Sequence, residues 1–250
     1  MFALYKKELQ SFFYSPFAYV LAALFMFIFS ISFVSSISEM TSNTLKFSFP
    51  NIFYNNFFYF IFIIPILTMR SFADERKGGT EVLLLTSPLS VTKIVLAKFL
   101  SVVTVFLFMM VTTLFFPIYA SGIGQVMWSS LICVYIGFFL WGLVCIAAGL
   151  LLSSLTGNAI IAAILGEIVM EGLLFLDTFA GSALVQSYPK LNSIVSWFSM
   201  QRRFVYFSQG MFRLEDLIFF RDFVLVFKLV GYERRAFRNF YHHGNDPKHS

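Results

Sequence analysis

Long apolar runs separated by short polar stretches dominate the chain. Each run is a candidate membrane-crossing helix, which needs about 20 mostly apolar residues. Five stand out: Pro16 to about Val34, about Asn51 to Met69, about Ile94 to Ala120, about Val126 to Leu152, and Asn158 to about Leu176. Pro65 falls near the end of the second, where the missing backbone N–H predicts a kink. A sixth run, LIFFRDFVLVFKLV from Leu217 to Val230, is shorter and holds Arg221, Asp222 and Lys228. Extending it back to Phe212 gives spanning length but takes in Arg213, Glu215 and Asp216 near its outer end. The pattern predicts an all-α fold, a polytopic bundle of six transmembrane helices over residues 16–232.

The polar stretches predict smaller elements. In MFALYKKELQSFFYS, Phe2, Tyr5, Leu9, Phe12 and Phe13 recur at helical spacing, with Lys6, Lys7, Glu8 and Gln10 elsewhere. Residues 1–15 therefore read as an amphipathic helix in the membrane interface, or else as a frayed basic terminus. The apolar run that follows is longer than a signal-peptide core, and no small-x-small site follows it, so it is expected to stay as an anchor. The main soluble segment is the loop 70–93, RSFADERKGGTEVLLLTSPLSVTK. It is charged at its start, broken at Gly78-Gly79, and restarts at Thr80, a candidate N-cap followed by Glu81. Val82 to Leu85 form an apolar patch too short to span, a docking element or a connector packed on helix ends. Ser87-Pro88 reads as an N-cap and first helical residue opening the next span. The outer segment Thr178–Phe212 mixes Trp197, Phe198, Phe204, Tyr206 and Phe207 with polar residues, as suits a membrane interface. Residues 233–250 form a polar tail.

Composition agrees with the periodicity. Of 250 residues, 58% are apolar and 12% charged, and mean hydropathy is +0.80. Soluble domains carry about 25% charged residues, so a water-soluble enzyme is excluded, as is a disordered chain. The net charge of +5 is better read as an orientation signal than as a nucleic-acid footprint. With the amino terminus inside, Lys6, Lys7, Arg70, Arg76, Lys77, Lys93, Lys98, Arg234, Arg235, Arg238 and Lys248 fall on the cytoplasmic side, against Lys46, Lys190, Arg202, Arg203 and Arg213 outside. The bias predicts a multi-pass protein of the cell (inner or plasma) membrane with both termini cytoplasmic.

Candidate chemistry is sparse. Cys133 and Cys145 lie twelve residues apart in one apolar run, without disulfide or metal spacing. His242, His243 and His249 lie in the polar tail, and no His-Glu-x-x-His pattern occurs. No metal site and no catalytic constellation is expected. Charge at depth is the unusual feature. Glu167 and Glu171 stand four apart on the fifth run, hence on one helix face. Counted at about 1.5 Å per residue, Glu171 and Arg221 reach similar depth, which predicts a Glu171–Arg221 pair, with Glu167 facing Lys228 or a polar path. Ala159, Ala163, Ala162 and Gly166 give the same helix small residues at four-residue spacing, fit for close helix approach.

The run LTMRSFADERKGGTEVLLLTSPLSVTKIVLAKFL resembles the segment after the second span of type-2 ABC exporter permeases. The opening YKKELQSFFYSPFAYVLAALF and the stretch FVYFSQGMFRLEDLIFF resemble the same family, nearest to the six-span permeases of the gliding-motility and nitrous-oxide-reductase maturation type. The resemblance implies a membrane subunit of an ATP-driven transporter, with loop 70–93 carrying the coupling helix that meets the nucleotide-binding subunit. Arg70, Glu75, Arg76, Gly79, Thr80, Glu81 and Pro88 match the family pattern and are implied contacts. The chain has no G-x-x-x-x-G-K-[ST] phosphate loop, so ATP and Mg would bind a separate ABC ATPase. This chain would hold no cofactor and would not itself be an enzyme. Two permeases, identical or a sister pair, would join two ATPases.

Two other classes remain at this point. One is a membrane anchor or scaffold that recruits a partner without transport. The other is a proton-coupled secondary transporter using Glu167 and Glu171, which would carry an inverted repeat that the sequence does not display.

Overall fold

The computed structural model describes residues 1–43, 46–47, 49–80, 90–122 and 125–180, with six isolated positions beyond: 188, 204, 207, 218, 221 and 222. The described chain is helical apart from one two-residue parallel pairing, β1 (Lys46–Phe47) with β2 (Gln125–Val126). The helices are α1 (Phe2–Tyr14), α2 (Pro16–Asn43), α3 (Phe49–Thr68), α4 (Arg70–Lys77), α5 (Val91–Thr113), α6 (Phe115–Ser121), α7 (Trp128–Leu155) and α8 (Ala159–Ala180).

Among the described residues, four helical stretches are long and apolar enough to cross a membrane: Pro16–Ser38, Asn51–Lys77, Thr92–Ser121 and Trp128–Leu155. They coincide with the first four expected spans. Helix α8 forms where the fifth was expected. The expected sixth span, with Lys228, and the tail 233–250 lie outside the described residues. So do Glu81, Pro88 and the leucine patch between them.

Each helix boundary has a local cause. Ser15 is extended between α1 and α2, and its Oγ accepts from the Phe17 amide at 3.2 Å. Pro16 opens α2, which makes Ser15-Pro16 an N-cap followed by a first-turn proline. The third expected span is two helices with Leu114 between them. Pro117 offers no N–H to the Thr113 carbonyl, and the Leu114 amide bonds three residues back, to Val111, at 3.1 Å. Helix α5 begins at Val91, after an extended Ser90, and the Ser87-Pro88 helix start read from the sequence lies outside the described residues.

Helix α7 is the central post, packed against α3, α4, α5 and α8. Its glycines permit that position. A Cβ at Gly149 would run into the Thr68 side chain of α3, and one at Gly142 into the Phe106 ring of α5. The rest of the core is aromatic. Phe60 stands edge-on to Phe25 at 4.2 Å and to Phe138 at 4.3 Å between ring centroids, and Phe57 lies 4.0 Å from Trp141. Such edge-to-face pairs add about 0.5–1.5 kcal/mol each beyond area burial. Apolar side chains also cover the outside. Val20, Leu24, Phe27, Ile31 and Val34 run down one face of α2, and Ile160, Ile164 and Ile168 down α8, all exposed. Faces of that composition suit lipid.

Candidate functional site: a buried lysine joins three helices

One end of the bundle gathers the start of α2, the junction of α3 and α4, the start of α5 and the end of α7. The side chain that organises it is Lys98, on the second turn of α5, with 1% of its surface exposed. Its ammonium donates to Glu8 Oε1 of α1 at 3.0 Å, to Glu75 Oε1 of α4 at 2.8 Å and to the Ser71 carbonyl at 2.7 Å. An ammonium has three protons, and all three are used. The Phe72 ring lies 5.2 Å from Nζ. A buried cation is tolerable only when so paired, because desolvation would otherwise cost several kcal/mol. Glu75 stands past the apolar run, on the polar helix α4.

Helix α4 has two further attachments, both to α7. Ser153 sits in the break between α3 and α4, donating to the Met69 carbonyl at 2.8 Å and accepting from the Phe72 amide at 3.2 Å. One hydroxyl thereby satisfies both backbone groups that the break exposes. Arg76 Nη2 donates to the Ser154 carbonyl at 2.6 Å, in the last turn of α7, where a cation also meets the negative end of the helix dipole. The far end of α4 closes on Gly79, whose φ of +69° is the left-handed value glycine tolerates. The Thr80 amide reaches the Glu75 carbonyl at 3.0 Å and the Gly79 amide reaches Arg76 at 3.3 Å, a Schellman closure. The Thr80 hydroxyl also lies 3.3 Å from the Glu75 carbonyl, so Thr80 serves the end of α4.

Helix α1 is held to the same place. Tyr5 Oη and Thr104 Oγ1 are 2.9 Å apart, and the Thr104 hydroxyl gives its proton to the Leu100 carbonyl at 2.8 Å, so Tyr5 is the donor. Leu4 packs with Ile94 and Ala97 of α5. The apolar face read from residues 1–15 is therefore largely spent on protein, with Leu4 and Phe12 buried, while Phe2 is exposed.

Of the residues singled out in the sequence, Arg70, Glu75, Arg76, Gly79 and Thr80 fall on α4 and its closure. Glu75 and Arg76 make the contacts above, while the Arg70 guanidinium lies over the Phe17 ring at 4.7 Å. Glu167 and Glu171 do share one face of α8. The Glu167 Oε2 atom is buried without a hydrogen-bond partner among the described residues. The expected Glu171–Arg221 pair is not formed there: Arg221 bonds Asp222, its neighbour, at 2.9 Å, with both side chains exposed. Adjacent charges pair locally at little cost, whereas reaching another helix requires ordering two long side chains. Lys98, Glu8, Ser71, Ser153 and Ser154 were not singled out. For Lys98 the signal was present, since a lone cation inside an apolar run needs a partner.

Residues 38–214 match the model of a family described as ABC-2 family transporter protein. No curated protein matches the chain. The family match covers well over half the chain, and the apolar helices it spans are those of a multi-pass membrane protein. The chain belongs to the ABC-2 family, as a transporter permease.

Proposed function

We propose that this chain is the membrane-spanning half of an ATP-driven exporter, with loop 70–93 as the arm that a separate ABC ATPase moves. The observation that carries this reading is the triple attachment of α4. It is tied to α1 and α5 through Lys98, to the middle of the break through Ser153, and to the end of α7 through Arg76. A force applied to the loop beyond Gly79 reaches three helices of the bundle through short, buried, charge-assisted bonds rather than through a slack connector. ATP would then bias one of two arrangements of the helices.

In this reading α8 and the run at 217–230 complete six spans, and both termini lie in the cytoplasm. Two permeases, identical or a sister pair, join two ATPases, which hold the ATP and Mg. Export is favoured by the resemblance of the Arg70–Pro88 run to exporter permeases of the gliding-motility and nitrous-oxide-reductase maturation type. The test is co-purification with a phosphate-loop ATPase, followed by Glu81→Lys in the loop. The reading expects loss of the ATPase from the complex with the permease still folded. Retention of the ATPase at wild-type stoichiometry after Glu81→Lys and Thr80→Lys together would overturn the assignment of the loop.

A further inference from the structure

Between α1, the start of α2 and α4 lies a polar cavity of about 230 Å³, several times the ~30 Å³ share of one liquid water. Its lining is evenly charged. Lys7, Arg70 and Lys98 face Glu8, Asp74 and Glu75 across it. The Lys98 ammonium already holds Glu8 and Glu75, so the charges left to a ligand are Lys7, Arg70 and Asp74. Arg70 is stacked on Phe17, an arrangement that fixes the guanidinium plane while leaving its N–H fork available.

The geometry points to a binding site for the headgroup of a zwitterionic phospholipid, with its phosphate on Arg70 and Lys7 and its ammonium on Asp74. Guanidinium and ammonium donors suit phosphate oxygens, and the single remaining carboxylate suits one cationic group. The location favours a lipid over a free anion. Tyr14 and Tyr19 are exposed on either side of the Ser15 corner, and the apolar stripe Val20, Leu24, Phe27, Ile31, Val34 leads away from it down α2. Aromatic residues of this kind sit at headgroup depth, with acyl chains beyond. The inference rests on the reading that this end of the bundle lies at a membrane surface. It needs no ATPase, so it stands or falls separately from the coupling role.

The test is native mass spectrometry of the full-length chain, equilibrated with equal amounts of phosphatidylethanolamine and phosphatidylglycerol, and separately with inorganic phosphate. Retention of phosphatidylethanolamine over phosphatidylglycerol is expected, with a loss of about tenfold or more in Arg70→Gln. Asp74→Asn, an exposed and structurally mild change, should abolish the preference between the two lipids while phosphate contact persists. If Arg70→Gln fails to fold, the Asp74→Asn selectivity decides. Equal retention of both lipids by the unmodified chain, unchanged selectivity in Asp74→Asn, or inorganic phosphate displacing the lipid at equimolar concentration would overturn the assignment.

Discussion

Glu75 and Lys98 meet at 2.8 Å across two different helices, with the lysine buried and its third proton given to the Ser71 carbonyl. Glu8 completes the arrangement from a third helix. Charge that would be prohibitive alone becomes a fixed joint here, because every proton of the ammonium has an acceptor.

Removal of the cation leaves two partly buried carboxylates facing each other. Lys98→Met is expected to destabilise the folded chain by about 3–5 kcal/mol, read as a loss of thermal stability in detergent. Lys98→Met with Glu75→Gln should recover part of that stability, because one of the two facing carboxylates is then neutral. A deficit unchanged by Glu75→Gln would contradict the joint.

Ser153 satisfies the Met69 carbonyl and the Phe72 amide. Ser153→Ala leaves both without that partner, at about 1–3 kcal/mol. Amide exchange should accelerate at Phe72 and its neighbours in α4, with the far ends of α3 and α7 unaffected. Unchanged exchange at Phe72 would show that the break is held by other groups.

The contact of Gly149 with Thr68 sets the approach of α7 to α3. Gly149→Ala overpacks it, with an expected loss of about 1–3 kcal/mol. Thr68→Ala in the same chain should relieve part of that loss, since two of the three nearest atoms belong to the threonine beyond its Cβ. Thermal stability of the two single variants and the double variant measures the coupling.

Much of this architecture was legible because lipid leaves a chain few choices. Runs of twenty apolar residues become helices, and α3 and α7 begin and end close to where composition changes, whereas α2 continues past Val34 to Asn43. The break at Leu114 was less visible, because Pro117 sits within an apolar run that reads as continuous. The joint at Lys98 was hidden for a different reason. Its partners stand 90 and 23 positions away in the chain, and spacing along one helix says nothing about pairs across three. The residue read naturally as an orientation charge at the mouth of a span. Glu171 and Arg221 show the converse: equal depth suggested a pair, yet Arg221 is exposed and bonds its neighbour Asp222.

The Gly79 turn closes α4. Gly79→Ala places a side chain at φ +69°, costing about 1–2 kcal/mol locally. The permease should still fold, and ATP hydrolysis by the co-purified complex should fall more than ATPase retention does. Equal hydrolysis would separate the turn from coupling.

The central claim is that the arm extending from α4 meets a separate ATPase. A photo-crosslinking amino acid at Lys77, which is exposed, tests it in native membranes, with one at Ile164 on the exposed face of α8 as the control. The account predicts an adduct with a phosphate-loop ATPase from Lys77 and none from Ile164. An ATPase that co-purifies with the permease but does not crosslink from Lys77 would contradict it.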